Sequence, residues 1–267
     1  MIVLLGTNSE ILWHFTGGPV WRASRQKQAL NPKPAIDAYN ALLSILTSSE
    51  LRLGQYRELV KVKLPTGHDT EVIESAPVCC LAEIPLAHLG HHARRYGKFA
   101  VGFHRYAVIK RGFNPVFYTS ERSRVLRSIS TAFARVSTEG FWLLRKVIDD
   151  LDRQKHALLK LEFGFAEDEF GLARQHFAHF LAFVKTFEYD ELRTVYAERE
   201  WRSVKSYRFN KSDIAMIVLP RRTARRSFME PFVNDVLPRL KLPATIPIVP
   251  WEYLEESNAR RRRPNSR

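Results

Sequence analysis

Apolar residues recur along this chain with two different periods, and the switch between them marks out its elements. From Glu10 to Thr16 the run Ile-Leu-Trp-His-Phe-Thr reads as a short strand closed by the turn Gly17-Gly18-Pro19. On that strand His14 and Thr16, two residues apart, share a side. Asn31-Pro32-Lys33-Pro34 is a loop signal, after which Ala38, Leu42, Ile45 and Leu46 fall on one face of a helix. Gly67-His68-Asp69 marks a turn, and Val78 to Leu81 is a short apolar run suited to a strand. Pro85 leads into a helix through His88, His91, His92 and Tyr96, which Gly97 ends as a left-handed cap. Beyond it Phe99, Val101 and Phe103 alternate as in a strand, a turn follows at Gly112 to Pro115, and Val116 to Thr119 reads as another strand.

The period then lengthens. Val125, Ile129, Ala132, Phe133 and Val136 recur at helical spacing, as do Leu144, Val147, Ile148 and Leu151, so that 121–187 reads as a helical insertion. Strand character returns at Glu200 to Tyr207 and at Ile214 to Leu219, the second ending at Pro220. The pattern predicts one α+β domain over 1–256 and a basic, disordered tail over 257–267.

Composition changes the picture in one respect. Lys and Arg number 42 against 28 Asp and Glu, a net charge of +14, which favours an acidic partner such as nucleic acid. No apolar run approaches the ~18–20 residues that cross a bilayer, so no membrane association is expected. The first residues lack the basic start of a secretory signal. Cys79 and Cys80 are adjacent, which disfavours a disulfide between them and suits a reducing compartment, so the cytoplasm is the expected location.

Common catalytic signatures are missing. The chain has no phosphate-binding Gly-x-x-x-x-Gly-Lys, no dinucleotide Gly-x-Gly-x-x-Gly and no Gly-x-Ser-x-Gly. His88, His91 and His92, and the pair His176 and His179, have no Cys or acidic residue at a metal-ligand offset; they read as solvated helix histidines, and no metal is expected. The segments that stand out are Trp13-His14-Phe15-Thr16, Cys80-Leu81-Ala82-Glu83-Ile84-Pro85-Leu86, Tyr96-Gly97 before the alternating strand, Asn114-Pro115-Val116 before Tyr118, and Glu198-Arg199-Glu200-Trp201-Arg202.

In order and texture these segments resemble the AbiGi family of bacterial abortive-infection (phage-resistance) proteins, over roughly 10–120 and 185–220. The succession of a strand His, a helix Tyr and a later Glu is similar, more remotely, to the His-Tyr-Glu arrangement of ADP-ribosyltransferases. That second resemblance implies a split β core with NAD in a cleft between two small sheets. It implies His14 on a ribose of NAD, assisted by Thr16, and Tyr96 stacked on the nicotinamide ring. Glu200 would stabilise the positive charge that develops as nicotinamide leaves, Glu198 would orient the acceptor, and Arg202 would hold the pyrophosphate or keep Glu200 ionised. The Ser-Thr-Ser of one transferase class is absent. The implied function is an anti-phage toxin, an NAD-dependent ADP-ribosyltransferase with no metal. The alternative, since some AbiGi proteins are described as antitoxins, is a catalytically inactive antitoxin or regulatory binding protein with a cognate toxin as partner.

Basic residues cluster at Arg94-Arg95, at Arg122, Arg124 and Arg127, at Arg221-Arg222 with Arg225-Arg226, and at Arg260 to Arg263. Arginine is preferred where phosphates are gripped in a bidentate manner. Arg94, Arg95, Arg122, Arg124, Arg221, Arg222, Arg225 and Arg226 are therefore the expected contacts to RNA or DNA as acceptor, with the tail as an electrostatic arm.

Overall fold

The computed structural model describes residues 9–19, 21–22, 27–28, 32–54, 56–63, 70–120, 123–125, 128, 172, 175–187, 198–224 and 226–255. The chain divides into two compact units. One comprises Met1–Gln55, Cys79–Pro115 and Tyr196–Arg267; the other comprises Tyr56–Val78 and Val116–Val195.

The first unit is mixed α/β and is built on a seven-stranded sheet. Its strands are β1 (Ile11–Phe15), β2 (Cys79–Ala82), β3 (Ala100–His104), β4 (Asn114–Pro115), β5 (Glu200–Ser203), β6 (Ile214–Leu219) and β7 (Ile248–Pro250). They lie in the order β7-β6-β3-β1-β2-β5-β4. All neighbours are antiparallel except β6 and β7. One hydrogen-bonded ladder thus joins all seven strands, where the resemblance to ADP-ribosyltransferases implies a core split in two.

Both faces of this sheet are covered, which is why its central strands carry apolar residues at consecutive positions rather than at alternate ones. On one face Leu12, Leu81, Val101, Phe103 and Ile217 pack with Ala38, Leu42 and Leu46 of α1 (Ala35–Ser48). On the other, Trp13, Phe15, Ala82, Ala100 and Val218 meet Leu89 and Ala93 of α2 (Leu89–Tyr96), together with Trp251 and Leu254. The apolar stripe of α1 is the one its sequence spacing predicts. Asp37 in its first turn complements the helix dipole, and Ser49 ends it in the left-handed conformation.

α2 begins after a 3-10 turn at Leu86–His88 and stops at Gly97, whose φ of 77° suits glycine but whose ψ of −179° is extended, not the left-handed cap the sequence predicts. A third helix, α3 (Arg105–Lys110), follows β3 directly and was not legible in the sequence; nor was β7. The strand expected over Glu200 to Tyr207 ends at Ser203, and Tyr207–Arg208 pair separately with Glu50–Leu51.

In the second unit Leu59–Lys63 pair antiparallel with Thr70–Glu74, on either side of the turn expected at 67–69, which lies outside the described residues. Phe117–Ser120 run parallel to Val184–Phe187. Most of the insertion expected over 121–187 falls outside the described residues, as does the tail at 257–267; residues 175–181 are helical.

Candidate functional site

Strand parity decides which of the expected residues share a site. In an antiparallel ladder, residues directly opposite one another project to the same face. Trp13 of β1 lies opposite Ala82 of β2, and Ala82 opposite Glu200 of β5; Arg202 lies opposite Cys80. Glu200, Arg202, Cys80, Ala82 and Trp13 therefore share the face on which α2 packs. His14, one residue from Trp13, lies opposite Val101 and belongs to the other face, with Thr16. The sheet thus stands between His14 and Glu200, which the transferase resemblance places in one NAD cleft.

His14 and Thr16 both have occupations in the fold. The half-buried His14 ring meets the Cys80 carbonyl through Nδ1 at 3.2 Å. Burial pulls its pKa below the ordinary value, the Cys80 carbonyl opposes the shift, and the positive charge of Lys33 adds to it. Thr16, 3% exposed, donates its hydroxyl to the Ala38 carbonyl at 2.7 Å and so fastens the end of β1 to the first turn of α1.

The other four expected residues do come together, on the α2 face. Arg199 has a left-handed φ of 41°, which interrupts the strand just before β5. Glu198 therefore does not continue the Glu200–Arg202 side of β5, where residues two apart on an unbroken strand would share a face. Its Oε1 accepts the Tyr96 hydroxyl at 2.9 Å and faces the Arg95 guanidinium at 3.4 Å. Glu200 pairs with Arg202 at 2.8 Å, and the Arg202 side chain has no exposure to solvent. Beside them burial pushes the Cys80 thiol well above its ordinary pKa, and the neighbouring Glu200 carboxylate raises it further.

Two aromatic neighbours were not anticipated. His92 lies stacked on Tyr96, ring centroids 4.2 Å apart, and meets Phe15 edge to face at 4.7 Å. Burial lowers the pKa of His92 to about 4 against the pull of Glu198 and Glu200, with Arg95 reinforcing the drop. It is thus a neutral packing residue near pH 7, not the solvated histidine expected. The i, i+4 spacing of His92 and Tyr96 was the available signal.

The close seat of Tyr96 has a cause in the sequence. A Cβ on Gly17 would lie 2.7 Å from the Tyr96 carbonyl oxygen and 3.2 Å from the Gly97 Cα, so only glycine lets the turn after β1 approach the end of α2. A second charge group centres on the buried Glu83, which directly follows β2. Glu83 accepts from Arg105 at 2.5 Å and from the Trp201 indole at 3.0 Å, with Arg199 at 3.6 Å, and Arg105 also donates to the Ser9 carbonyl. The sequence reading missed this group because its members are far apart in the chain.

Of the arginines expected to contact nucleic acid, Arg95 is joined to Glu198, while Arg94, Arg221, Arg222 and Arg226 are exposed on the first unit and Arg124 on the second. Arg122, Arg225 and the Arg260 to Arg263 run lie outside the described residues. No described helix is long and apolar enough to cross a membrane.

A family model of abortive phage resistance proteins matches residues 62–232, more than half of the chain. The family is AbiGi, whose description adds the word antitoxin, and the chain belongs to it. The match includes 121–184, between the two stretches that carry the resemblance in sequence, and leaves His14 and Thr16 outside. No curated protein and no solved structure matches the chain. The family description overturns the expectation of a toxin that transfers ADP-ribose: AbiGi stands on the antitoxin side of such a system.

Proposed function

We propose that this chain is the antitoxin of an abortive-infection toxin–antitoxin pair, and that it acts by binding its cognate toxin. The observation that carries this reading is the AbiGi antitoxin match over 62–232. The packing of the first unit supports it. Glu198 and Glu200 are each tied to cationic or hydroxyl donors of the same chain, and His14 lies across the sheet from them. A charged cluster held in this way serves to orient α2 against β5, because its geometry is set by pairs within the chain.

The test is co-purification. The tagged chain is expressed with the product of the adjoining gene and resolved by size exclusion. The reading expects the two to co-elute as one complex; separate elution at micromolar concentration refutes binding as the mode of action.

A further inference from the structure

An open basic surface of the first unit lies around a short hairpin between β6 and β7. Arg222–Thr223 pair antiparallel with Arg226–Ser227; Arg222 and Ser227 border an open groove of about 680 Å³, and Arg226 borders, with Arg222 and Thr223, a hollow of about 760 Å³ that continues it. An adjoining hollow of about 320 Å³ extends the groove toward Lys33 and Lys98. On its wall Tyr253, 50% exposed, carries the Arg221 guanidinium over its ring at 4.7 Å from the centroid. We infer that this groove binds single-stranded nucleic acid, with Arg222 and Arg226 on phosphates and Tyr253, backed by Arg221, as a platform for an unpaired base.

Charge favours this occupant. Arg221, Arg222, Arg226, Lys33 and Lys98 border the groove and its extension, against Glu230 and Glu252. Both Glu252 oxygens are engaged at 3.1 Å by the Arg221 backbone N–H, and Lys98 is paired with Glu255 at 2.7 Å. Arg222 and Arg226 are exposed and have no ion pair among the described residues. Thr223 and Ser227 add hydroxyls along the same strands. Guanidinium groups that grip phosphate, beside an exposed ring of the kind on which bases stack, form the pattern of a single-strand groove.

Fluorescence anisotropy with fluorescein-labelled 12-mers of uridine and of deoxythymidine tests the inference on the full chain. Wild type is expected to bind both, and to bind a 12-base-pair duplex at least tenfold more weakly, since a paired base cannot reach Tyr253. Arg222→Ala/Arg226→Ala should weaken binding at least tenfold and flatten the slope of log affinity against log salt by about 1.4, from roughly 0.7 per single-strand phosphate contact. Tyr253→Ala should cost about tenfold, whereas Tyr253→Phe, which keeps the ring, should bind as wild type does. Unchanged melting of each variant shows that the fold is intact. No binding by wild type overturns the inference, as does wild-type affinity in the double arginine variant. So does loss of the toxin complex, and not of oligonucleotide binding, in that variant, which would make the groove a protein-docking surface. Toxin binding can fail while oligonucleotide binding persists, so the outcome is separable from that of the proposed function.

Discussion

Replacing Arg202 with methionine isolates the buried charge on β5, the strand next to the edge of the sheet. The Arg202 side chain has no solvent exposure, that of Glu200 only 11%, and their contact is 2.8 Å. Methionine keeps most of the volume and removes the positive charge, so the Glu200 carboxylate stays largely buried beside a neutral Cys80 thiol. Breaking a buried pair from one side costs about 3–5 kcal/mol, because the surviving charge loses its partner without regaining water. At about 2–4 °C per kcal/mol for a unit of this size, the melting temperature should fall by roughly 6–20 °C. Glu200→Met added to Arg202→Met removes the orphaned charge and should restore stability to within about 1 kcal/mol of wild type. Urea unfolding followed by tryptophan fluorescence is the assay, since Trp13, Trp21, Trp201 and Trp251 all belong to the first unit. A loss below about 1 kcal/mol for the single variant would mean that water reaches the pair. A double variant as unstable as the single one would mean that packing, not charge, is what the arginine supplies.

Other expectations follow from the same contacts. Tyr96→Phe removes the hydroxyl donated to Glu198 and should destabilise the first unit by about 1–2 kcal/mol, measured by urea unfolding; no change would show that the bond is exchanged for water at no cost. Gly17→Ala forces a methyl against the Tyr96 carbonyl and should cost about 1–3 kcal/mol, with a lowered melting temperature as the readout. His92 has its folded pKa lowered to about 4, so the unfolded chain takes up the proton first as pH falls. Its share of stability is complete above about pH 6.5 and is lost as the pH drops from there toward 4. His14, also lowered, acts in the same direction. His92→Phe should flatten part of that acid limb, and an NMR titration of His92 with a midpoint near 6.5 would contradict the burial described.

Local elements were legible where one face alone decides them. The stripe Ala38, Leu42, Leu46 marks α1, and the continuous run Ile214 to Leu219 marks a strand covered on both sides. Gly97 marks the end of α2 because its φ of 77° is one that glycine adopts without strain. The site was legible only in part. Tyr96, Glu198, Glu200 and Arg202 lie together as their order in the chain suggests, but His14 does not join them. Its side of the sheet depends on the register of β1 with β2 and of β2 with β5, and a one-residue difference in register reverses the face. The sequence carries no local mark of that register, nor of the left-handed Arg199 that redirects Glu198. Glu83 with Arg105, Arg199 and Trp201 was missed for a related reason: a buried charge group assembled from distant segments has no spacing to read.

The antitoxin reading rests on what the chain does to cells that carry its partner, and growth measures this directly. The adjoining gene is induced alone, this chain is induced alone, and then both are induced together, with culture density followed over several generations. Arrest is expected with the adjoining gene alone, normal growth with this chain alone and restored growth with both; arrest by this chain alone, or persistent arrest with both, would refute an antitoxin role.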